Sequence, residues 1–204
     1  EFPSALSLLE KLAKTNLQEE ANFWIGEIYR RNEDYVRARD YFLKVLEYKT
    51  PLFGDGALFS LGWMDYKMGK LDSAFNLFSK LITTYPDSKY RKGAKFYSGK
   101  ILQKKKNFKK ASEYFSSLIE GKDVWSQRAY ISLARVMKEE GRDKEAISFL
   151  EKFEDKFPSG SLLPEALYQL SLWISKDSPT TSITIYEKIK AHFPKFSGMP
   201  AVLY

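Results

Sequence analysis

Few residues of this chain could do covalent or metal chemistry. Among 204 residues there is a single histidine, His192, and there is no cysteine. Disulfides and thiolate metal sites are therefore excluded, and His192 has no partner at a catalytic or ligand spacing. No phosphate-binding glycine loop, zinc-protease helix motif or nucleophile elbow occurs. We expect no enzymatic activity, no cofactor and no metal, and we interpret His192 as a helix-end residue favoured by the helix dipole.

Binding chemistry is better represented, by lysines and aromatic side chains. The net charge is +7 and aromatic residues make up 16% of the chain. Between residues 92 and 126, nine lysines accompany only three acidic residues. The densest run is Lys104, Lys105, Lys106, Lys109 and Lys110. Such a run is either a solvated turn or a patch for an acidic protein, an anionic lipid or a polyanionic glycan. Nucleic acid is not expected, because no recognised nucleic-acid motif accompanies the run.

The elements that carry these residues are predicted to be paired helices. Hydrophobic residues recur with helical spacing, and no sustained period-2 alternation indicates strands. A small residue recurs in the first helix of each pair: Gly26, Gly62, Gly99, Ala134 and Ser171. Twelve residues later (eleven in the last pair) comes a second small residue: Ala38, Ala74, Ala111, Ala146 and Ser182. Four residues further on stands a bulky one: Phe42, Phe78, Phe115, Leu150 and Tyr186. Small side chains allow two helices to pack closely, and a single pair cannot bury its apolar face alone.

Short polar turns are expected between the two helices of each pair. They fall at residues 31–34, 68–70, 106–107, 140–143 and 176–179. Asp72, Asp143 and Ser178 are expected to cap the helices that follow. An amphipathic helix is also predicted over residues 4–16, ahead of the first full pair.

The recurring pattern resembles the tetratricopeptide repeat. Leu61-Gly62, Tyr66, Ala74, Phe78 and Pro86 stand at about the offsets of that family. The resemblance implies an all-α fold, a right-handed α-solenoid of stacked antiparallel helix pairs. One array over residues 1–204 is expected to comprise a lone N-terminal helix (1–18), five repeats (19–54, 55–91, 92–126, 127–163 and 164–194) and a tail or truncated next repeat (195–204). Individual repeats depart from the pattern, since the early Trp is replaced by Asn22, Leu58, Lys95, Tyr130 and Leu167.

In this family the first helices line a concave face that binds partners. The resemblance places the groove at about −3, +1, +4 and +5 from the small residue of each first helix. The candidate groove residues are Phe59, Trp63, Tyr66, Lys67, Phe96, Lys100, Gln103, Lys104, Arg135, Lys138 and Tyr168. The aromatic residues either pack between neighbouring first helices or form, with the interleaved cations, a groove for a peptide with apolar anchors and acidic flanks. The lysine and asparagine pattern of the chaperone carboxylate clamp is not present.

The sequence therefore favours a non-enzymatic scaffold that binds a peptide or protein segment, with acidic segments among the candidate partners. One alternative is an adaptor that docks on an anionic envelope or membrane component through the basic run, and another is an accessory domain of a larger protein. The segments after Tyr85-Pro86 and Phe157-Pro158 are similar to those of two bacterial envelope proteins, the periplasmic cell-division coordinator and the outer-membrane assembly lipoprotein. This similarity implies a bacterial multiprotein assembly in a periplasmic or envelope setting, with the cytoplasm as the alternative. Membrane contact is expected only through the basic run or an anchor outside this chain.

Overall fold

In a computed structural model of the chain, residues 2–12 and 17–197 are described. Within these ranges the protein is entirely helical, without strands. The helices are α1 (Phe2–Leu12), α2 (Gln18–Arg31), α3 (Tyr35–Leu46), α4 (Gly54–Lys67), α5 (Leu71–Thr84), α6 (Arg91–Lys104), α7 (Phe108–Ser116), α8 (Val124–Glu139), α9 (Asp143–Glu151), α10 (Phe153–Lys156), α11 (Leu163–Ile174) and α12 (Pro179–His192). The predicted N-terminal helix is present as α1. The end of that prediction, at 13–16, and most of the predicted tail, at 198–204, lie outside the described residues.

The chain divides into two compact units, residues 1–101 and 102–204, whose boundary falls within α6. In unit 1, α2 packs on α3 and α4 on α5, and α3 contacts α4. In unit 2, α8 packs on α9 and α11 on α12. Each unit has its own buried apolar residues, which include Phe42 and Phe78 in unit 1 and Phe153 in unit 2. Stacked helix pairs within each unit are the α-solenoid class that the sequence predicted.

The recurring glycine is explained by the aromatic ring that covers it. A Cβ on Gly62 would lie 2.8 Å from Cε1 of Phe78. The same holds for Gly26, whose added Cβ would lie 2.8 Å from Cε1 of Phe42. Both rings are fully buried. The glycine thus lets the second helix place a large apolar ring directly against the first helix, and burial of that ring contributes about 2–3 kcal/mol.

A left-handed residue follows the first helix at the same place in four repeats. It stands seven residues after the small residue: Glu33 (φ 62°), Gly69 (φ 76°), Lys106 (φ 57°) and Gly141 (φ 79°). This conformation reverses the chain at the helix end and suits glycine, because it has no Cβ to clash. At Glu33 and Lys106 an ordinary residue adopts it, at a cost of about 1 kcal/mol.

Helix capping differs from the sequence prediction. Asp72 and Asp143 lie in the first turns of α5 and α9, whose N-caps are Lys70 and Arg142. Their prediction as caps was wrong because the left-handed turn fixes the helix start one or two residues earlier. Ser178 is the N-cap of α12, but its side chain makes no capping hydrogen bond. The side-chain caps are Asp34 of α3, Asn107 of α7 and Asp123 of α8, which accept from Arg37, Lys110 and Ser126 N–H respectively.

One polar residue near the start of a first helix holds the linker to the next repeat. It stands seven residues before the small residue, and its side chain accepts a hydrogen bond from the following linker. The pairs are Glu19 Oε1 with Phe53 N–H (2.7 Å), Asp55 Oδ2 with Ser88 Oγ (2.6 Å) and Gln127 Oε1 with Leu162 N–H (3.0 Å). A linker that would otherwise leave polar groups unpaired is thereby satisfied.

Candidate binding surface

In unit 1 the first helices place two cations close to one tryptophan ring. Trp63 of α4 is half-buried, and the guanidinium carbon of Arg30, from α2, lies 5.0 Å from its ring centroid. Lys67, one turn further along α4, places its Nζ 5.7 Å from the same centroid. The edge of Tyr35 approaches the ring with a centroid distance of 6.3 Å. We call Arg30, Trp63, Tyr66 and Lys67 the Trp63 cluster.

Arg30 is held in place by a partly buried carboxylate and a serine. Its Nε and Nη2 donate to the two oxygens of Glu27, at 3.0 and 2.8 Å, and Ser60 Oγ donates to Glu27 Oε1 at 2.6 Å. Burial disfavours the charged carboxylate, but the hydrogen bonds from Arg30 and Ser60 and the positive charge of Arg30 outweigh it, so the pKa of Glu27 is lowered. The hydrogen bond with Glu27, only partly opposed by burial, raises the pKa of Arg30. The guanidinium therefore stays charged and fixed beside Trp63.

The other aromatic candidates of unit 1 differ in how far packing uses them. Tyr66 is half-buried with its ring 5.2 Å from that of Tyr97, and burial of the phenol raises the pKa of Tyr66. Phe59 is half-buried and stacks on Tyr90 at 5.2 Å. Phe96 is only 8% exposed. Phe96 thus lies within the packing between repeats, whereas Phe59, Trp63 and Tyr66 are half-buried and keep part of their rings accessible.

The two lysine candidates of unit 1 lie at its accessible surface. Lys67 is exposed and Lys100 is half-buried. Together with Arg30 and the exposed Arg31 they make this face positive. Among the groove positions of α2, α4 and α6 in this unit, Glu27 is the single acidic residue. A positive face with partly exposed aromatic rings suits an apolar residue flanked by carboxylates.

In unit 2 two candidate cations contact residues of their own repeat and of the next one. Arg135 Nε donates to Gln169 Oε1 at 3.0 Å, and its Nη2 lies 3.2 Å from Glu165 Oε1. Lys138 Nζ lies 2.5 Å from Asp143 Oδ1 and 5.6 Å from the centroid of Trp173. These contacts order both cations and leave them partly exposed.

The remaining candidates of unit 2 are less uniform. Gln103 is buried, and its Nε2 donates to Glu139 Oε1 at 2.7 Å. Lys104 is exposed at the end of α6. Tyr168 is half-buried with its ring 6.2 Å from that of Phe196. In this unit Arg135 and Lys138 are the ordered cations, and Lys138 lies near a partly buried aromatic residue, Trp173, which the offset rule did not select.

Contacts between successive first helices follow a rule that sequence reasoning missed. The residue at +1 meets the residue at −2 of the next repeat: Glu27 with Ser60, and Arg135 with Gln169. The residue at +4 reaches further along the next first helix, at Arg30 with Trp63, Gln103 with Glu139 and Lys138 with Trp173. The sequence contains these residues 33 to 36 positions apart, with side chains that can form hydrogen bonds or cation–π contacts. Only the stacking of the repeats shows that they touch.

A buried carboxylate in unit 1 also escaped sequence reasoning. Asp65 of α4 is 1% exposed and forms an ion pair with Arg39 of α3. Ser73 Oγ of α5 donates to the other carboxylate oxygen. Asp65 stands one residue before Tyr66, at the position where the family has tyrosine. It ties three helices together, and this role is structural because the carboxylate is enclosed.

The basic run lies on the surface of unit 2. Lys104, Lys105, Lys106, Lys109 and Lys110 are all exposed, around the turn between α6 and α7. Asn107 caps α7 within the run, so the turn has a defined backbone. Five exposed ammonium groups within seven residues produce a local positive potential that salt screens.

Residues that could hold a metal ion do not assemble in the described ranges 2–12 and 17–197. No group of three or more potential ligand residues lies together there. His192 is exposed at the end of α12, with Nδ1 3.0 Å from the carbonyl oxygen of Lys188. None of the helices in these ranges has the length and apolar character needed to cross a membrane.

Comparison with known proteins agrees with the repeat structure. A tetratricopeptide repeat family model matches residues 56–88 and 128–160, and a second tetratricopeptide repeat model matches residues 19–50. These three segments of the chain therefore match tetratricopeptide repeats. No curated protein sequence matches it significantly.

Several solved structures share this fold. PilW, described as a widely conserved type IV pilus biogenesis factor, is 18% identical with a TM-score of 0.73, covering 96% of this chain and 88% of that one. MamA from Desulfovibrio magneticus RS-1 is 17% identical with a TM-score of 0.67, covering 88% and 97%. YrrB, described as a TPR protein with an unusual peptide-binding site, is 17% identical with a TM-score of 0.63, covering 91% and 92%. At these identities the likeness establishes the fold alone.

Proposed function

We propose that this tetratricopeptide-repeat chain is a non-enzymatic scaffold that binds a peptide or protein segment on the first-helix face of unit 1. The observation that carries the proposal is the Trp63 cluster, in which the guanidinium of Arg30 and the ammonium of Lys67 both lie close to a half-buried indole. Pre-ordered aromatic and arginine side chains dominate binding energy at protein interfaces, because little entropy is lost when they engage a partner.

The chemistry of the cluster selects the partner. The indole and the phenol of Tyr66 offer apolar area, and the cations around them favour carboxylates. The partner is therefore a segment with a bulky apolar residue and acidic neighbours. Glu27 does not cancel this preference, because its carboxylate is only 13% exposed and is already paired with Arg30.

The test is a selection of binding peptides from a random library, followed by affinity measurements with fluorescence polarisation. Trp63→Ala is expected to weaken the selected peptides at least about 30-fold, the effect of a hot-spot residue. Lys67→Glu is expected to weaken the binding of acidic peptides and to reduce the salt dependence of that binding. Circular dichroism at 222 nm verifies that both variants remain helical.

Matched controls lie elsewhere on the same chain. Trp125→Ala removes another partly buried tryptophan, and Lys80→Glu reverses an exposed lysine on the second helix α5. Neither control is expected to change affinity by more than about twofold, since surface substitutions away from a site are nearly neutral. Selected peptides that bind equally well to Trp63→Ala would rule out the Trp63 cluster as the binding site.

The exposed basic run supports a second candidate function, docking on an anionic envelope or membrane component. This function predicts binding to vesicles that contain anionic lipid, with a steep loss of binding between low and physiological salt. Reversing Lys105 and Lys109 to glutamate should abolish the binding, whereas the same change at Lys80 and Lys144 should not. Binding that is insensitive to salt or to the reversal of Lys105 and Lys109 contradicts this candidate.

The cellular setting follows from the sequence resemblance and from one structural neighbour. We infer a bacterial multiprotein assembly in the periplasm or envelope, because the segments after Pro86 and Pro158 are similar to those of envelope proteins. PilW, a similar structure, is itself described as a pilus biogenesis factor. Fractionation of the source cells tests this setting, and recovery with the cytosol would contradict it. The sequence flanking this chain in its gene tests the alternative of an accessory domain.

A further inference from the structure

A small cleft in unit 2 lies away from the first-helix face, at the linker between the fourth and fifth repeats. It has a volume of about 240 Å³ and is lined by Lys122, Gln127, Lys156 and the turn from Phe157 to Gly160. The volume fits one anionic group with its waters rather than a folded segment. None of the residues proposed to bind the peptide contributes to it.

The buried amide of Gln127 provides a donor that the protein leaves unpaired. Gln127 is 5% exposed, and its Oε1 accepts from the N–H of Leu162 at 3.0 Å. The Nε2 of the same amide donates to no residue in the described part of the chain. Because Gln127 lines an open cleft, water or a ligand can accept from this donor.

Two ammonium groups flank this amide. Lys122 is exposed and forms no ion pair among residues 2–12 and 17–197. Lys156 Nζ lies 3.9 Å from Glu120 Oε2, whose side chain is 86% exposed. An ion pair of that length at the surface contributes little. A carboxylate or phosphate oxygen that enters the cleft can therefore exchange with Glu120 at little cost.

The position of Gln127 is occupied by a carboxylate in the second repeat. One family model matches residues 56–88 and 128–160, so that positions 72 residues apart correspond. Gln127 then corresponds to Asp55. The two oxygens of Asp55 accept from Ser88 Oγ and from the N–H of Gly56, at 2.6 and 2.7 Å. A carboxylate performs in the second repeat the linker-holding role that a neutral amide performs in the fourth.

The positions of the two cleft lysines also carry more positive charge in the fourth repeat than in the second. Lys122 and Lys156 correspond to Thr50 and Thr84 in the second repeat. Three differences thus replace a carboxylate and two threonines of the second repeat by a neutral amide and two lysines in the fourth. Holding the linker needs only an acceptor, as Glu19 and Asp55 show in the earlier repeats. The donor group of the Gln127 amide is therefore not needed to hold the linker.

We propose that this cleft binds a single oxyanion group, of the carboxylate or phosphate class. The Nε2 of Gln127 donates one hydrogen bond, and Lys122 and Lys156 supply the charge. Ser159 at the rim adds a hydroxyl that donates to no described residue. The anion would fasten the linker between the fourth and fifth repeats to the start of α8.

The experiment is a titration of the ¹⁵N-labelled chain with sodium phosphate and, separately, sodium acetate at constant ionic strength and pH 7. Saturable shifts are expected for the Gln127 side-chain amide and for the backbone N–H groups of Ser159 and Gly160. Gln127→Glu keeps an acceptor for Leu162 but places a carboxylate in the cleft. It is expected to weaken anion binding at least about tenfold, which corresponds to the loss of one charge-assisted hydrogen bond.

Lys156→Gln provides a second variant that leaves Gln127 intact, and it is expected to weaken binding similarly. Lys144→Gln, at an exposed lysine of α9, serves as the matched control. It should leave the anion concentration at half-saturation, the midpoint of the titration, unchanged. An acetylated dipeptide with a free terminal carboxylate, compared with its amidated form, distinguishes an anion carried by a polypeptide from a free one. Shifts that do not saturate, or that keep the same midpoint in Gln127→Glu and Lys156→Gln, would overturn the proposal.

Discussion

The contact between Gly62 and Phe78 yields a quantitative prediction about how each helix pair is built. In Gly62→Ala the new Cβ would lie 2.8 Å from Cε1 of Phe78 and 3.0 Å from both Cδ1 and Cζ. The ring cannot rotate away freely, because it is fully buried among other core side chains. The substitution must therefore displace the ring or the helix that carries it.

The magnitude follows from two opposing effects. Overpacking a core costs about 1–3 kcal/mol, while replacing glycine by alanine inside a helix gains about 0.8–1.0 kcal/mol. Gly62→Ala should therefore lower the free energy of unfolding by about 1 kcal/mol. Phe78→Leu removes buried volume and should lower it by about 1–2 kcal/mol.

The double variant Gly62→Ala/Phe78→Leu should lose less free energy of unfolding than the two single variants lose in sum. Leucine has no atoms corresponding to Cε1 and Cζ, so the clash with the methyl group added at position 62 is mostly relieved. The chain already contains this pairing, because Ala134 and Leu150 occupy the same two positions in the fourth repeat and are both buried. We expect the double variant to be about 2 kcal/mol more stable than additivity predicts, within the range seen for residues in contact.

Urea unfolding followed by circular dichroism at 222 nm measures all four proteins of this double-mutant cycle. Gly69→Ala is the control. Gly69 has φ +76° and nothing within 4 Å of an added Cβ, so its cost of about 1 kcal/mol arises from the backbone and Phe78→Leu should not relieve it. If Gly62→Ala and Phe78→Leu add to within about 0.5 kcal/mol, the explanation of the recurring glycine by the aromatic ring is refuted.

Three further substitutions test single interactions. Because the pKa of Glu27 is lowered in the folded protein, the stability that its carboxylate contributes is present above the ordinary pKa of 4.5 and is lost as pH falls below it. Glu27→Gln should therefore lower the free energy of unfolding by about 1–2 kcal/mol at pH 7. If urea unfolding shows that the difference in stability between the two proteins does not narrow below about pH 4, the pairing with Arg30 is contradicted. Asp65→Ala should cost about 3 kcal/mol, because it leaves the Arg39 charge without its buried partner, and a loss below about 1 kcal/mol in the same assay would show that the pair is not important. Asp123→Ala removes the cap that accepts from Ser126 N–H and should cost about 1 kcal/mol, whereas Asp123→Asn, which keeps an acceptor, should cost only a few tenths.

Much of the fold could be predicted because it depends on short-range regularities. The spacing of Gly62, Ala74 and Phe78 recurs along the chain, with one residue fewer in the last repeat, and it reports helix periodicity and close packing within one pair. Helix starts were less predictable, as Asp72 shows. Its place as cap or first-turn residue depends on the left-handed turn at Gly69, which moves the cap of α5 two residues earlier, to Lys70.

The candidate site was predictable only as a set of positions. Counting from Gly62 selects Trp63, Tyr66 and Lys67 because they share one helix. The counting could not show that Arg30 covers the indole, since that contact joins residues 33 positions apart. Counting also selected Phe59 as a groove residue, and the structure shows that the Phe59 ring stacks on Tyr90.

The sequence by itself determined that the chain is built of paired helices with the spacing of tetratricopeptide repeats, because the residues that specify a pair, from Leu61 to Pro86 in the second repeat, lie close together along the chain. The tertiary structure decided which polar residues serve packing and which remain available. Asp65 and Gln127 illustrate the difference, since both are buried and polar. The carboxylate of Asp65 is enclosed by Arg39 and Ser73, whereas the amide of Gln127 keeps a donor in an open cleft. The physical reason is that stacking brings together side chains from neighbouring repeats, and only their distances show which hydrogen bonds are satisfied.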